Sequence, residues 1–105
     1  MLGWEMHIIN KATGQEYGDW LAGLGATKWI DKLVADGKAE KFYAVDCSHY
    51  TIKAKDLITE VIKLEKCSNK GVTEDGWISD FVMNIAELKQ CADDDLVIVQ
   101  TYDAS

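Results

Sequence analysis

Arginine and proline are both absent from this chain, and all eleven basic residues are lysine. Arginine supplies the planar fork that grips carboxylates and phosphates through paired hydrogen bonds. A chain without it is a poor candidate for a phosphoryl-transfer centre or a reader of nucleic acid. Long apolar runs are missing too. The longest, such as LVIV at 96–99, fall far short of the ~20 residues that a membrane-spanning helix needs. The opening MLGWEMHI lacks the basic stretch and long apolar segment of a secretory signal, so a cytoplasmic protein is the expectation. Cys47, Cys67 and Cys91 lie far apart with no C-x-x-C step, and an odd count outside a secretory context implies free thiols.

The 105 residues, four tryptophans among them, suit one ordered domain spanning 1–105, with a single core. The net charge of −7 is unevenly placed. Residues 1–73 hold ten acids and ten lysines, whereas residues 74–105 hold eight acids and only Lys89. Linear charge segregation of this kind points to an interaction surface or a solubilising face rather than to a fold.

Periodicity gives a coarse architecture. WEMHIIN (4–10) alternates as a strand, and ATGQ follows as a turn. In YGDWLAGLG the residues Tyr17, Trp20, Leu21 and Leu24 recur at helical spacing, and Thr27 can cap a second helical piece carrying Ile30, Leu33 and Val34. KFYAVDC (41–47) and YTIKA (50–54) read as two strands of a hairpin separated by Ser48-His49, or as one bent strand, and DLITEVIKLEK (56–66) as a helix. Thr73 then caps a helix whose apolar stripe is Ile78, Phe81, Val82, Ile85 and Leu88, with Glu74 and Asp75 in its first turn. LVIVQTY (96–102) is the closing strand. The order β-α-β-β-α-α-β predicts an α+β fold: a four-stranded, mainly antiparallel sheet with helices packed on one face, a ferredoxin-like variant.

Tests for chemistry return little. DCSH brings Cys47, Ser48 and His49 close in sequence, but neighbours on a tight turn rarely face one another, and no second Cys/His pair completes a tetrahedral metal site. GLGAT lacks the leading strand and third glycine of a phosphate cradle. ADDDLVIV has neither the alternation nor the glycine of a calcium loop. No cofactor or metal is expected, and no catalytic residue. Trp77 falls at the border of the predicted apolar stripe, beside acids, as a protein-binding anchor would. Asp93, Asp94 and Asp95 follow a helix-like run ending near Cys91, where free carbonyls make carboxylates unfavourable. They read as capping nothing, and as the densest point of an acidic surface.

GWEMHII at the start, YTIKAKDLI in the middle and DLVIVQTYD at the end, with the small size and acidity, resemble the small immunity proteins that bacteria make against polymorphic or contact-dependent growth-inhibition toxins. The resemblance covers about a quarter of the chain and carries no family site residues. It implies a non-catalytic cytoplasmic inhibitor that binds a basic toxin domain, such as a nuclease, and covers or distorts its active site. The expected contact surface is Asp80, Glu87, Asp93, Asp94 and Asp95, with Trp77 and Asp103. Two rival readings stand beside it. One is a phage or mobile-element inhibitor that mimics nucleic acid, and the other a small enzyme or ligand-binding domain using Cys47 and His49.

Overall fold

A computed structural model describes residues 3–23, 25–43, 47–73 and 76–103, without the Cys47 side chain. The elements run β1 (Trp4–Asn10), β2 (Glu16–Ala22), α1 (Lys28–Ala35), β3 (Ala39–Tyr43), β4 (Cys47–Lys53), α2 (Ala54–Ser68), β5 (Val72–Thr73), β6 (Gly76–Met83), α3 (Ile85–Lys89) and β7 (Leu96–Asp103). The strands form one seven-stranded sheet in the order β3-β4-β7-β1-β2-β6-β5. Every strand pairing is antiparallel. The α+β class therefore stands, but the four-stranded ferredoxin-like arrangement does not.

Two predicted helical stretches turn out to be strands, and both errors have the same physical source. In β6 the register against β2 slips by one residue, so Asp80 and Phe81 together oppose Trp20. Asp80 takes the left-handed backbone conformation, with φ of 53°, at this bulge. The extra residue moves the inward positions from Ile78 to Phe81 and Met83 rather than to 80 and 82. An interrupted two-residue alternation then looks like helical spacing. In β2 a similar slip leaves Tyr17 as the extra residue between the pairs Ile8↔Gly18 and Ile9↔Glu16. Here the inward positions are Gly18, Trp20 and Ala22, two of them too small to register as apolar. The expected Ser48-His49 turn also moves, because both residues lie inside β4. Glu74, Asp75 and the Asp46 end of DCSH fall outside the described residues.

One face of the sheet is covered. Met6 and Ile8 of β1, Trp20 and Ala22 of β2, Tyr50 and Ile52 of β4, Ile78 of β6, and Val97 and Val99 of β7 are buried against the helices. Helix α1 contributes Ile30 and Leu33, α2 contributes Leu57, Val61 and Leu64, and α3 contributes Leu88. Each fully buried aliphatic side chain is worth about 1.5–3 kcal/mol relative to exposure. Polar links fix the layers. The buried Tyr50 hydroxyl donates to Asp31 Oδ1 of α1 at 2.8 Å, and Lys41 Nζ lies 3.6 Å from the same oxygen. The Tyr17 hydroxyl accepts from Asn10 Nδ2 at 2.9 Å and meets Cys91 Sγ, just beyond α3, at 3.1 Å. Cys67 and Cys91 are free thiols.

At Gly18 strands β2 and β6 approach closely. A Cβ built there would lie 2.2 Å from the Val82 carbonyl oxygen and 2.7 Å from the Met83 Cα, both backbone atoms that cannot swing aside. Gly18→Ala should therefore lower unfolding free energy in urea titration by about 1–3 kcal/mol, the usual cost of overpacking. On an exposed helix the same change would stabilise the protein by about 1 kcal/mol, so the sign of the effect tests the strand assignment.

Candidate functional site

The helices all lie on the Met6–Ile8 side of the sheet, so every second residue of each long strand points to a face that no helix among the described residues covers. Registers place these residues in rows. The central row runs Phe42, His49, Gln100, His7, Asp19, Val82 across six strands. At about 4.8 Å between strands, that row is about 24 Å wide. On one side lies the row Tyr102, Glu5, Leu21, Ser79, and on the other Glu40, Thr51, Ile98, Ile9, Glu16. The ends are apolar and open to solvent, with Phe42 49% and Val82 65% exposed.

Charge on this face is predominantly negative. Glu5, Glu16, Asp19 and Glu40 all belong to it, whereas Lys53 is the only strand lysine in phase with it. Lys53 is itself paired with Asp94 at 3.4 Å. The other strand lysine, Lys41, opposes Tyr50 and turns to the helix side. Folding thus brings four acids of residues 1–73 together on the open face, while helices α1 and α2 carry lysines and acids side by side. Linear charge counting missed this. Applying the strand alternation to Glu5, Glu16, Asp19 and Glu40 would have found part of it, but only once β2 was recognised as a strand.

His7 sits at the middle of the open face. Its Nδ1 lies 2.6 Å from Glu16 Oε1 and its Nε2 lies 2.8 Å from Glu5 Oε1, so both ring nitrogens meet a carboxylate. The rings of His7 and His49 stand edge-on to Tyr102 from either side, with centroids 5.8 Å and 6.5 Å away. Partial burial by itself depresses the His7 pKa. The hydrogen bonds and charges of Glu16 and Glu5 outweigh it and raise the pKa above the ordinary 6.5. His7, Glu16 and Asp19 also offer ligand atoms within 4.8 Å of one another, a spacing at which a divalent cation competes with the proton for His7.

The seven residues expected to form one acidic surface are not brought together. Asp93, Asp94 and Asp95 are exposed in the turn before β7, and Asp94 and Asp95 lie beside the β1–β2 turn at Asn10–Thr13. Glu87 reaches the same turn by accepting a hydrogen bond from Gln15 Nε2. Asp103 ends β7, about 24 Å away at strand rise, in phase with the buried Thr101 rather than with the open face. Asp80 projects from the β6 bulge, and Trp77 packs on Gly3 and Gly23 at one edge of the open face, out of phase with the buried Ile78. Of the reactive cluster in DCSH, His49 lies on the open face, and the Cys47 side chain lies outside the described residues.

The aspartate triplet has a structural role that its position in the sequence hid. The carbonyls of Asp95 and Asp93 accept from the backbone N–H groups of Ala54 and Lys55 at 2.9 and 3.3 Å, the first two residues of α2. Lys53, the α2 N-cap, makes no side-chain capping bond, so these carbonyls take its place. Asp95 Oδ2 in turn accepts from Ala92 N at 2.8 Å, which closes the turn. The carboxylates that seemed misplaced after α3 stand at the positive end of the fifteen-residue α2. The expectation that they cap nothing is corrected.

No sequence family, no curated protein and no solved structure matched this chain. No helix among the described residues is long and apolar enough to cross a membrane.

Two measurements check these assignments. Neutralising the triplet with Asp93→Asn, Asp94→Asn and Asp95→Asn keeps the turn geometry but removes the charge. Stability should fall by about 0.3–1 kcal/mol at low salt, and the loss should shrink in 1 M NaCl; carboxylates serving α3 alone would give a gain. For His7, the raised folded-state pKa means that its stabilising contribution is complete below pH 6.5 and is lost as pH rises through the folded value. The melting temperature of the wild type should exceed that of His7→Gln most at pH 6, and the gap should close toward pH 9.

Proposed function

We propose that this chain is a non-catalytic inhibitor of the immunity type, and that it docks a basic toxin domain on its open sheet face. One observation carries the reading. Folding sorts the charges so that Glu5, Glu16, Asp19 and Glu40 share an uncovered face with Tyr102, Ile98, Ile9 and the solvent-exposed Phe42 and Val82. Aromatic and aliphatic anchors inside an acidic field are the composition that lets a surface both steer a cationic partner and hold it. Asp94 offsets the charge of Lys53 at one end of the face. The contact surface proposed is therefore centred on the His7 row rather than on residues 74–105.

Inhibition then works by occlusion. A toxin that cleaves a polyanion presents a cationic cleft, and an acidic face about 24 Å wide can cover such a cleft without entering it. No group on the inhibitor needs to react.

The test uses the product of the gene adjacent to this one. Expressed alone in a bacterial host it should arrest growth, and co-expression with this chain should restore it. The association rate should fall at least tenfold between 50 and 500 mM NaCl. Asp19→Lys with Glu40→Lys should lower that rate at least tenfold at 50 mM NaCl while leaving the melting temperature within a few degrees. An unchanged rate in this variant sinks the assignment of the face. A loss confined to reversal of Asp93, Asp94 and Asp95 would move the contact to the turn before β7.

A further inference from the structure

Three side chains with metal-binding atoms meet on the open face, and two strands supply them. His7 of β1 opposes Asp19 of β2 directly in the strand register. Glu16 lies three residues before Asp19, a spacing that in an unbroken strand would send the two carboxylates to opposite faces. The extra residue at the β2 bulge, Tyr17, cancels that alternation. Glu16 pairs with Ile9, two residues on from His7, and so shares the face of His7 and Asp19. One ligand atom from each of His7, Glu16 and Asp19 then lies within 4.8 Å of the others. The expectation of no metal rested on motifs local in sequence, whereas these ligands are joined across two strands.

The ring is held and its lone pair is aimed. Glu5 Oε1 stands 2.8 Å from His7 Nε2 and accepts the hydrogen bond of its N–H. With that proton fixed, the neutral imidazole turns the lone pair of Nδ1 toward Glu16. A carboxylate behind a ligating histidine orients the ring and raises its basicity in just this way. The His7 side chain is only 20% exposed, which restrains it further. Asp19 is half-buried, and its carboxylate makes no hydrogen bond or ion pair among the described residues. No lysine pairs with Glu5, Glu16 or Asp19 among them either. Three carboxylates thus surround one imidazole, and a single proton on that ring leaves the group negative. A divalent ion compensates it more fully.

We propose that His7 Nδ1, Glu16 and Asp19 bind one divalent transition-metal ion of the zinc type, with Glu5 as a positioning residue and a fourth position open to water. Bonds of about 2.0–2.2 Å set tetrahedral ligand atoms about 3.3 Å apart, so side-chain rotation over a fixed backbone closes the site. One imidazole nitrogen with two carboxylate oxygens suits a borderline ion such as Zn2+. Ca2+ takes about six to eight oxygens, more than this group offers. The ion would sit on the face assigned to docking, yet its binding is a property of the isolated chain and does not rest on the inhibitor reading.

The full chain, stripped of metal and kept reduced, is titrated with ZnCl2 in competition with a chromophoric chelator. One equivalent should bind with a Kd of about 10 μM or tighter. Imidazole 1H–15N spectra should show Zn2+ moving the His7 Nδ1 signal while Nε2 keeps its proton. Asp19→Asn and Glu16→Gln, both near-isosteric, should each weaken binding about tenfold or more, and His7→Gln should abolish it. Replacing Cys47, Cys67 and Cys91 together by serine should leave the affinity unchanged, and CaCl2 should not displace the ion. In Glu5→Ala the bound ring should become a mixture of Nδ1-linked and Nε2-linked forms, a change that lost packing alone would not produce. The proposal is overturned if Zn2+ fails to bind by about 1 mM, or if it moves His49 or His7 Nε2 instead. It is equally overturned if Asp19→Asn and Glu16→Gln bind undiminished, if the serine variant loses the ion, or if Ca2+ competes as an equal. An unchanged ring form in Glu5→Ala removes Glu5 from the site. No docking partner enters these measurements, so their failure and that of the inhibitor reading are told apart.

Discussion

The three helices among the described residues stack on one side of the sheet, and most of the molecule's character follows from that asymmetry. A strand offers its side chains alternately to two faces, so covering one face commits half of every strand to water or to a partner. The covered half holds Met6, Ile8, Trp20, Tyr50, Ile52, Val97 and Val99, and supplies the stability. The uncovered half is free to carry His7, Glu5, Asp19 and Tyr102, whose value lies in what they present rather than in what they bury. Bulges at Tyr17 and at Asp80–Phe81 are compatible with this division because each slips the register while keeping apolar residues inward.

The sequence was most legible where alternation or helical spacing ran unbroken. Strands β1 and β7 and helix α2 lie close to where WEMHIIN, LVIVQTY and DLITEVIKLEK predict them, because a clean period over seven or more residues outweighs local noise. It was least legible where an added residue changed the phase. Ile78, Phe81 and Val82 look like a helical stripe, yet Val82 is 65% exposed on the open face while Ile78 is buried on the other. Gly18 and Ala22 hide the inward face of β2, and at Gly18 closeness to β6, not hydrophobicity, selects the residue.

Function was harder to read for a related reason. Counting charges along the chain assigns significance to residues 74–105 and neutrality to the rest. In three dimensions Glu5, Glu16, Asp19 and Glu40 leave their neighbouring lysines and collect on one face, while helices α1 and α2 carry lysines and acids together. A chain with no net charge over its first 73 residues thus folds with an acidic open face and a helix layer of mixed charge. The aspartate triplet lies between them in role: it closes the first turn of α2 and also borders the open face.

Strand β7 lies between β4 and β1, joining the β3–β4 hairpin to the β1–β2–β6 group. Until residues 96–103 have left the ribosome, those two groups have no shared edge, and the amide groups of Ala54 and Lys55 have no Asp93 and Asp95 carbonyls to meet. The pairs it makes with β1 are among the most distant in the chain, so their closure carries a large entropic cost and comes late. A growing chain therefore holds two incomplete sheet fragments with open edges, the state in which strands of separate molecules pair by mistake. Synthesis of one eight-residue strand ends that exposure.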